Sequence, residues 1–355
     1  MTTPATMSGV QLTGHGGPEM LVWSDDIPIT APGPGMALVQ VLAAGVNNTD
    51  INTRLGWYAP EVTGATGEGT TAEDGGWSGA LGFPRIQGAD LCGRIVALGD
   101  GVTDLEVGMR VTCATNQPEP TPDNPMGFVA IGSEYDGAFA QFCMVPARHL
   151  YDVTASPLSD IEIAAMPCAF GTALNLLTRA QVGAGNTVLV TGASGGVGLA
   201  AVALAHLKGA QVTGITGAAK ADAVRAAGAD NVLDRDAPLP EAAFDAVIDV
   251  VGGVGWNARI AALRPGGRLA VSGAIAGPIV QMDLRALYLA DKTILGCTFQ
   301  PPKVFAELVA IINAGQLRPL VSATYPLPDI ARAQEDFQSK RYPGKLVLVP
   351  PKVTP

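Results

Sequence analysis

The chain has 355 residues, 48% of them apolar and 15% charged, and its 22 Lys and Arg against 32 Asp and Glu give a formal charge of −10. That length accommodates about two domains of ~100–200 residues, and the acidic balance argues against nucleic acid or an anionic membrane as a partner. Apolar runs are broken before they reach a bilayer-spanning length, no basic segment followed by an apolar one opens the chain, and the five cysteines are odd in number and scattered. The expectation is a cytoplasmic protein with reduced thiols and no membrane segment.

Residues 7–46 alternate apolar and polar over short runs separated by Gly and Pro, which predicts antiparallel strands and a β-rich first domain. Residues 47–55, NNTDINTRL, are polar, and Thr49 or Asn48 is placed to cap a short helix at the rim of a site. Residues 56–82 are glycine-rich and aperiodic, yet carry Trp57, Tyr58 and Trp77. Loops of that length are functional or disordered, and the aromatic residues favour one that packs over an active site. Residues 83–111 read as two strands around an Asp100-Gly101 hairpin signal, residues 115–136 as loop, and residues 138–145 as a strand. Ser159 and Glu162 form a capping-box pattern, and residues 168–180 read as a helix.

Residues 186–216 carry the strongest signal in the chain. A short β-branched run ends in a glycine-rich turn, GASGGVG, which opens a long apolar helix closed by Lys208-Gly209 and followed by a second strand. Strand, turn, helix and strand make one βαβ unit, in which Gly195, Gly196 and Gly198 allow close backbone approach and the helix start offers unpaired N–H groups to a pyrophosphate. Strand and helix then alternate to about residue 300, through runs at 244–250, 268–272 and 293–299, as a doubly wound parallel sheet requires. A turn is expected at 264–267, helices at 218–227, 301–313 and 330–337, and a last strand at 345–349 returning to the first domain.

Seven segments occur in the order found in one family: GVNNTDINTRLG, GADLCGRIVALGDGV, VPARHLYDV, GASGGVG, DVVGG, LRPGGRLAVSG and GKLVLVP. Together they resemble the medium-chain dehydrogenase/reductase superfamily, in particular its zinc-free quinone oxidoreductase-like branch. The resemblance implies a GroES-like β-rich catalytic domain (residues 1–155 and 310–355) and a Rossmann dinucleotide-binding domain (156–309), assembled as a homodimer by sheet extension. Positions that hold zinc in the alcohol dehydrogenases of this superfamily correspond to Asn47, Ala89-Asp90 and Cys168, a set too poor in ligands for a tetrahedral site, so no metal is expected. Without a Lewis acid, hydride addition is best suited to a quinone or α,β-unsaturated carbonyl, where charge spreads over an enolate.

Hydrogen-bond donors then suffice: Asn47 and Thr49 would donate to the substrate oxygen, Asp50 would orient their loop with Arg54 packing or pairing behind it, and Tyr58 would close over the substrate or supply a proton. By the same resemblance the nucleotide would lie along Ala193, Gly195, Gly196, Val197 and Gly198, with Thr172, Gly273, Ala274 and Phe299 bordering the nicotinamide. At the end of the second Rossmann strand Thr216 and Gly217 stand where NAD-binding members carry an acid, and Lys220 and Arg341 could supply positive charge, so the expected cofactor is NADPH. A zinc-independent alcohol dehydrogenase or carbonyl reductase, and a noncatalytic NADPH-binding protein, are the competing readings.

Overall fold

The alternating N-terminal segments pair antiparallel, because period-two patterning gives each strand one face to bury. The computed structural model describes residues 3–70, 75–77 and 79–353. Thr6–Leu12 pairs with Leu21–Pro28 and Arg85–Ile86 in one small sheet. A larger sheet runs, among the described residues, in the order Leu150–Asp152, Arg110–Cys113, Cys92–Leu98, Met36–Gly45, Lys345–Val349 and Val321–Pro326, with Phe142–Pro146 also on Met36–Gly45. Val39, Val41, Leu91, Ile95, Phe139, Val145, Leu346 and Leu348 fill its core.

The chain divides into two compact units. One comprises Met1–Val62, Gly67–Cys168 and Pro301–Pro355; the other comprises Thr63–Thr66 and Ala169–Gln300. The first unit therefore takes in more chain than the boundaries at 155/156 and 309/310 anticipate. Polar and aromatic contacts explain the difference. The Ser156 hydroxyl donates to Ile312 O (2.7 Å), the Cys168 N–H donates to Asp90, and the Phe305 ring packs edge-on to Tyr151 at 5.1 Å.

The second unit is a parallel sheet in the order Asn231–Leu233, Gln211–Ile215, Thr187–Val190, Phe244–Asp249, Leu263–Val271 and Thr293–Gly296. Numbered along the chain this is 3-2-1-4-5-6, the order of a doubly wound dinucleotide-binding sheet, and the switch point lies beyond Thr187–Val190. Thr293–Gly296 lies at its edge, as its sequence position suggests. Among the described residues no helix is long and apolar enough to cross a membrane, and all five cysteines are free.

Three local expectations change. Residues 115–136, expected as loop, contain a hairpin in which Asn116–Pro118 pairs antiparallel with Phe128–Ala130. Gly101 adopts a left-handed φ of +80°, but Cys92–Leu98 and Arg110–Cys113 are joined through the whole of 99–109. Asp100 O accepts from Gly35 N–H (2.8 Å), so this turn is tied to the approach to Met36–Gly45 and does not close a tight hairpin. The turn expected at 264–267 lies inside Leu263–Val271: Leu263 pairs with Phe244 and Arg268 with Ala246, and the residues between form a register shift.

Candidate active site and cofactor site

Helix Asn48–Leu55 begins at Asn47 (φ −132°, ψ 159°), so the cap lies before the Asn48 or Thr49 expected from sequence. Asp50, three residues on, fixes the start: its Oδ2 accepts from Asn47 N–H (2.9 Å) and its Oδ1 from Ala89 N–H (3.1 Å). Burial and then the nearby Asp90 carboxylate push the Asp50 carboxyl up to about 7, although Lys345 and the two N–H donors oppose this. Asp50 thus ties the helix start to the chain at Ala89. Arg54, 1% exposed, lies behind it, donating to Gln334 Oε1 (2.9 Å) and Gly16 O (2.6 Å).

Asn47 does not have the role expected of it. Its amide donates to Asp90 Oδ2 (2.9 Å) and more weakly to Gly45 O (3.4 Å), and its oxygen accepts from Lys345 Nζ. With its amide groups held inside the protein, it positions the helix and is not available to donate to a substrate. Lys345 Nζ also donates to Asp90 Oδ2 (2.9 Å) and Val46 O (3.0 Å), which gives each of the three ammonium protons an acceptor. Asp90 Oδ1 accepts from Cys168 N–H (2.6 Å). Sequence reasoning missed Lys345 because the ammonium and Asp90 are 255 residues apart.

Thr49, in this helix, and Tyr58, just beyond it, bring two hydroxyls together. Tyr58 Oη donates to Thr49 Oγ1 at 3.4 Å, which leaves the Thr49 proton for another acceptor. Burial raises the Tyr58 hydroxyl to about 12, partly offset by its hydrogen bonding with Thr49 and Asn52, so it stays protonated at neutral pH. Asn52 is a further residue of this group that the sequence did not single out; its position at helical spacing from Tyr58's partner Thr49 was the available signal.

The donors around Asn47 do not make a tetrahedral zinc set. Ala89 has no donor atom in its side chain, and Asn47 and Asp90 are committed to Lys345 and to each other. Burial and then Asp90 push the Cys168 thiol up to about 12. Among the described residues no group of three or more His, Cys, Asp or Glu could hold a metal ion.

In the second unit the left-handed residue of the glycine-rich turn is Gly192 (φ +56°), whereas Gly195 is extended and caps helix Gly196–Leu207. A Cβ on Gly198 would lie 2.1 Å from Gly192 O, so glycine is required there for helix and turn to pack. The helix has no side-chain cap and no acid in its first turn, leaving its N–H groups for an anion, and Ala193, buried beside the turn, donates its N–H to Ile215 O (3.0 Å). Val197, in the first turn, is half-buried.

Beyond the neighbouring strand, Thr216 is 2% exposed and its hydroxyl has no partner among the described residues. A Cβ on Gly217 would lie 3.6 Å from the Arg235 guanidinium, and burial, then the Arg235 charge, lowers the Lys220 ammonium. Arg235 is thus a cation beside Lys220 that sequence reasoning missed; it follows the third strand, Asn231–Leu233. Arg341 belongs to the other unit, where it pairs with Asp336 (2.7 Å) and Ser339, and that commitment disagrees with the phosphate role expected of it. Thr172 is half-buried in helix Pro167–Arg179, Phe299 O accepts from Asn175 Nδ2 (3.1 Å), and Gly273 and Ala274 follow Leu263–Val271, where a Cβ on Gly273 would lie 2.9 Å from Val250 O.

Residues 33–155 match the alcohol dehydrogenase GroES-like domain and residues 196–314 match the zinc-binding dehydrogenase family. The chain belongs to the medium-chain dehydrogenase/reductase superfamily and is an oxidoreductase of that class. An acryloyl-coenzyme A reductase of Metallosphaera sedula is 30% identical over 75% of this chain and 83% of its own, and a quinone oxidoreductase of Lama guanicoe is 27% identical over 97% of both. Among solved structures, one from Sinorhizobium meliloti described as an alcohol dehydrogenase is 39% identical, covers 98% of both chains and superposes with a TM-score of 0.87. A mycobacterial protein complexed with NADPH is 29% identical, covering 97% of this chain and 100% of its own with a TM-score of 0.76.

Proposed function

We propose that the protein is an NADPH-dependent reductase of quinones or α,β-unsaturated carbonyls that works without zinc. The observation that carries this reading is the buried Lys345–Asp90–Asn47 cluster, which fills with an ammonium the place where the family's zinc ligands would stand. Held by the residues of the second unit, NADPH would supply a hydride. The chain's own residues do the rest: Thr49 and Tyr58 hold the acceptor oxygen, on which charge grows as an enolate, and Tyr58 or Thr49 donates the proton that completes the reduced product and is itself reprotonated from water. Asn47 and Asp50 position the helix that carries Thr49.

The residues of the second unit fit the cofactor. The uncapped helix at Gly195 suits a pyrophosphate, and Thr216 Oγ1, Lys220 and Arg235, with no acid on the strand end, suit a ribose 2′-phosphate. Gly273, Ala274, Thr172 and Phe299 border the nicotinamide in this reading. Ile279, Leu284, Tyr288 and Leu289 are exposed just before the edge strand Thr293–Gly296, which supports a homodimer formed by sheet extension. Free cysteines support residence in the cytoplasm.

The test is NADPH oxidation by chelator-treated protein with an enone and its saturated ketone as paired acceptors. The enone alone should turn over, and Tyr58→Phe should lower kcat about 10²-fold without weakening NADPH binding. Turnover of the saturated ketone, or dependence on added zinc, would overturn the reading in favour of an alcohol dehydrogenase.

A further inference from the structure

The segment 56–82 has a feature the catalytic reading does not use. Trp77 stacks on Tyr58 with ring centres 5.9 Å apart and planes 7° from parallel. Trp57 meets Tyr58 edge-on at 5.4 Å, and Phe128, from the hairpin Asn116–Pro118 with Phe128–Ala130, meets Trp77 edge-on at 5.9 Å. These are favourable aromatic geometries, and all four rings are only half-buried, so each keeps open surface. The wall starts at the Tyr58 hydroxyl, which donates to Thr49.

The turn that carries Trp77 is built to hold it. Gly76 N–H donates to Gly79 O (2.9 Å), Gly79 N–H donates back to Gly76 O (3.3 Å), and a Cβ on Gly76 would lie 2.5 Å from Gly79 O. Gly79 has a φ of +112°, outside the range that other residues adopt readily. The charge of the segment is equally one-sided. Residues 56–82 contain Glu61, Glu68, Glu73 and Asp74 and neither Lys nor Arg. The stretch itself supplies no cation for the phosphates of a polyanion such as coenzyme A.

We infer that Trp77 is a specificity-determining residue, which with Trp57, Tyr58 and Phe128 selects uncharged enones whose conjugated C=C carries a planar aromatic ring. The inference rests on the proposed reductase activity and narrows its substrate. Stacking on the wall would hold the ring while the carbonyl oxygen meets Thr49 and Tyr58.

The test compares three acceptors that share one reaction: 4-phenyl-3-buten-2-one, 3-penten-2-one, in which methyl replaces phenyl, and crotonyl-coenzyme A. Wild-type kcat/KM should be highest for the phenyl enone. Trp77→Leu should lower that value about tenfold and change the value for 3-penten-2-one less than twofold, and Trp77→Phe should keep most of the preference. Equal losses on both enones in Trp77→Leu, or crotonyl-coenzyme A turning over as well as the phenyl enone, would overturn the inference. Calorimetric binding of the phenyl enone to the NADPH-loaded protein separates the two readings. Binding lost in Trp77→Leu, with no turnover by wild type, would sink the reductase reading and leave the aromatic site standing; turnover by wild type with calorimetric binding undiminished in Trp77→Leu would sink the aromatic site alone.

Discussion

Replacing Lys345 with Met keeps most of the side-chain length and removes the charge. The Lys345 side chain is 3% exposed and that of Asp90 0%, so the aspartate left behind can recruit little water. It would retain the Asn47 amide and the Cys168 N–H but lose its cation, while Val46 O and Asn47 Oδ1 would lose a donor. Breaking a buried pair from one side costs about 3–5 kcal/mol, because the remaining charge is uncompensated. Lys345→Met should therefore lose about that much in urea unfolding followed by tryptophan fluorescence, a signal weighted to this unit because it contains Trp23, Trp57 and Trp77. Asp90→Asn removes the second charge and keeps an oxygen for Cys168 N–H, so the double variant should be less destabilised than the sum of the singles by about 2 kcal/mol or more. A Lys345→Met loss under about 1 kcal/mol, or strict additivity, would refute the view that this ammonium neutralises the site.

Asp50 should show itself in pH dependence. Its carboxyl titrates at about 7 in the fold and near 3.9 when unfolded, so between those values the folded chain holds a proton that the unfolded chain lacks. Its stabilising contribution is full below about pH 4 and declines by up to about 1.4 kcal/mol per pH unit as pH rises to 7. Asp50→Asn should flatten that decline, and an unchanged slope would count against the assignment. On the cofactor side, Lys220→Ala and Arg235→Ala should each lower kcat/KM with NADPH about tenfold and leave NADH within about threefold, consistent with the loss of one charge-assisted hydrogen bond apiece. Equal losses with both cofactors would remove these cations from the 2′-phosphate.

The parts of the fold that the sequence announced are local ones. Thr187–Val190, the GASGGVG turn and helix Gly196–Leu207 are contiguous, and the period of each is visible within a few residues. The Ser159 and Glu162 capping box is as legible for the same reason, with Glu162 N–H donating to Ser159 Oγ (3.2 Å) and Ser159 N–H to Glu162 Oε2 (2.8 Å). What stayed hidden depends on distant pairing. Asn47 reads as an exposed donor until Lys345, 298 residues later, is seen to occupy its oxygen. Arg235 reads as a loop charge until the sheet brings it beside Gly217, and Trp77 reads as a loop aromatic until its ring is seen against Tyr58. Patterning reports which face of an element is buried, but not which side chain from elsewhere will meet it.

The strand Lys345–Val349 also sets an order of events during synthesis. It pairs with Met36–Gly45 and Val321–Pro326, and its Lys345 reaches Val46 across 299 residues of chain. Ala169–Gln300 is contiguous apart from Thr63–Thr66, so it can fold as it leaves the ribosome, whereas the sheet around Met36–Gly45 waits for a strand translated after it. Until then Asp90 and Asn47 lack their ammonium, and the edge of Met36–Gly45 that this strand will cover is open to wrong partners. The nascent protein thus gains its nucleotide-binding half first, and bound cofactor would favour the folded form of that half before the half bearing Thr49 and Tyr58 is complete.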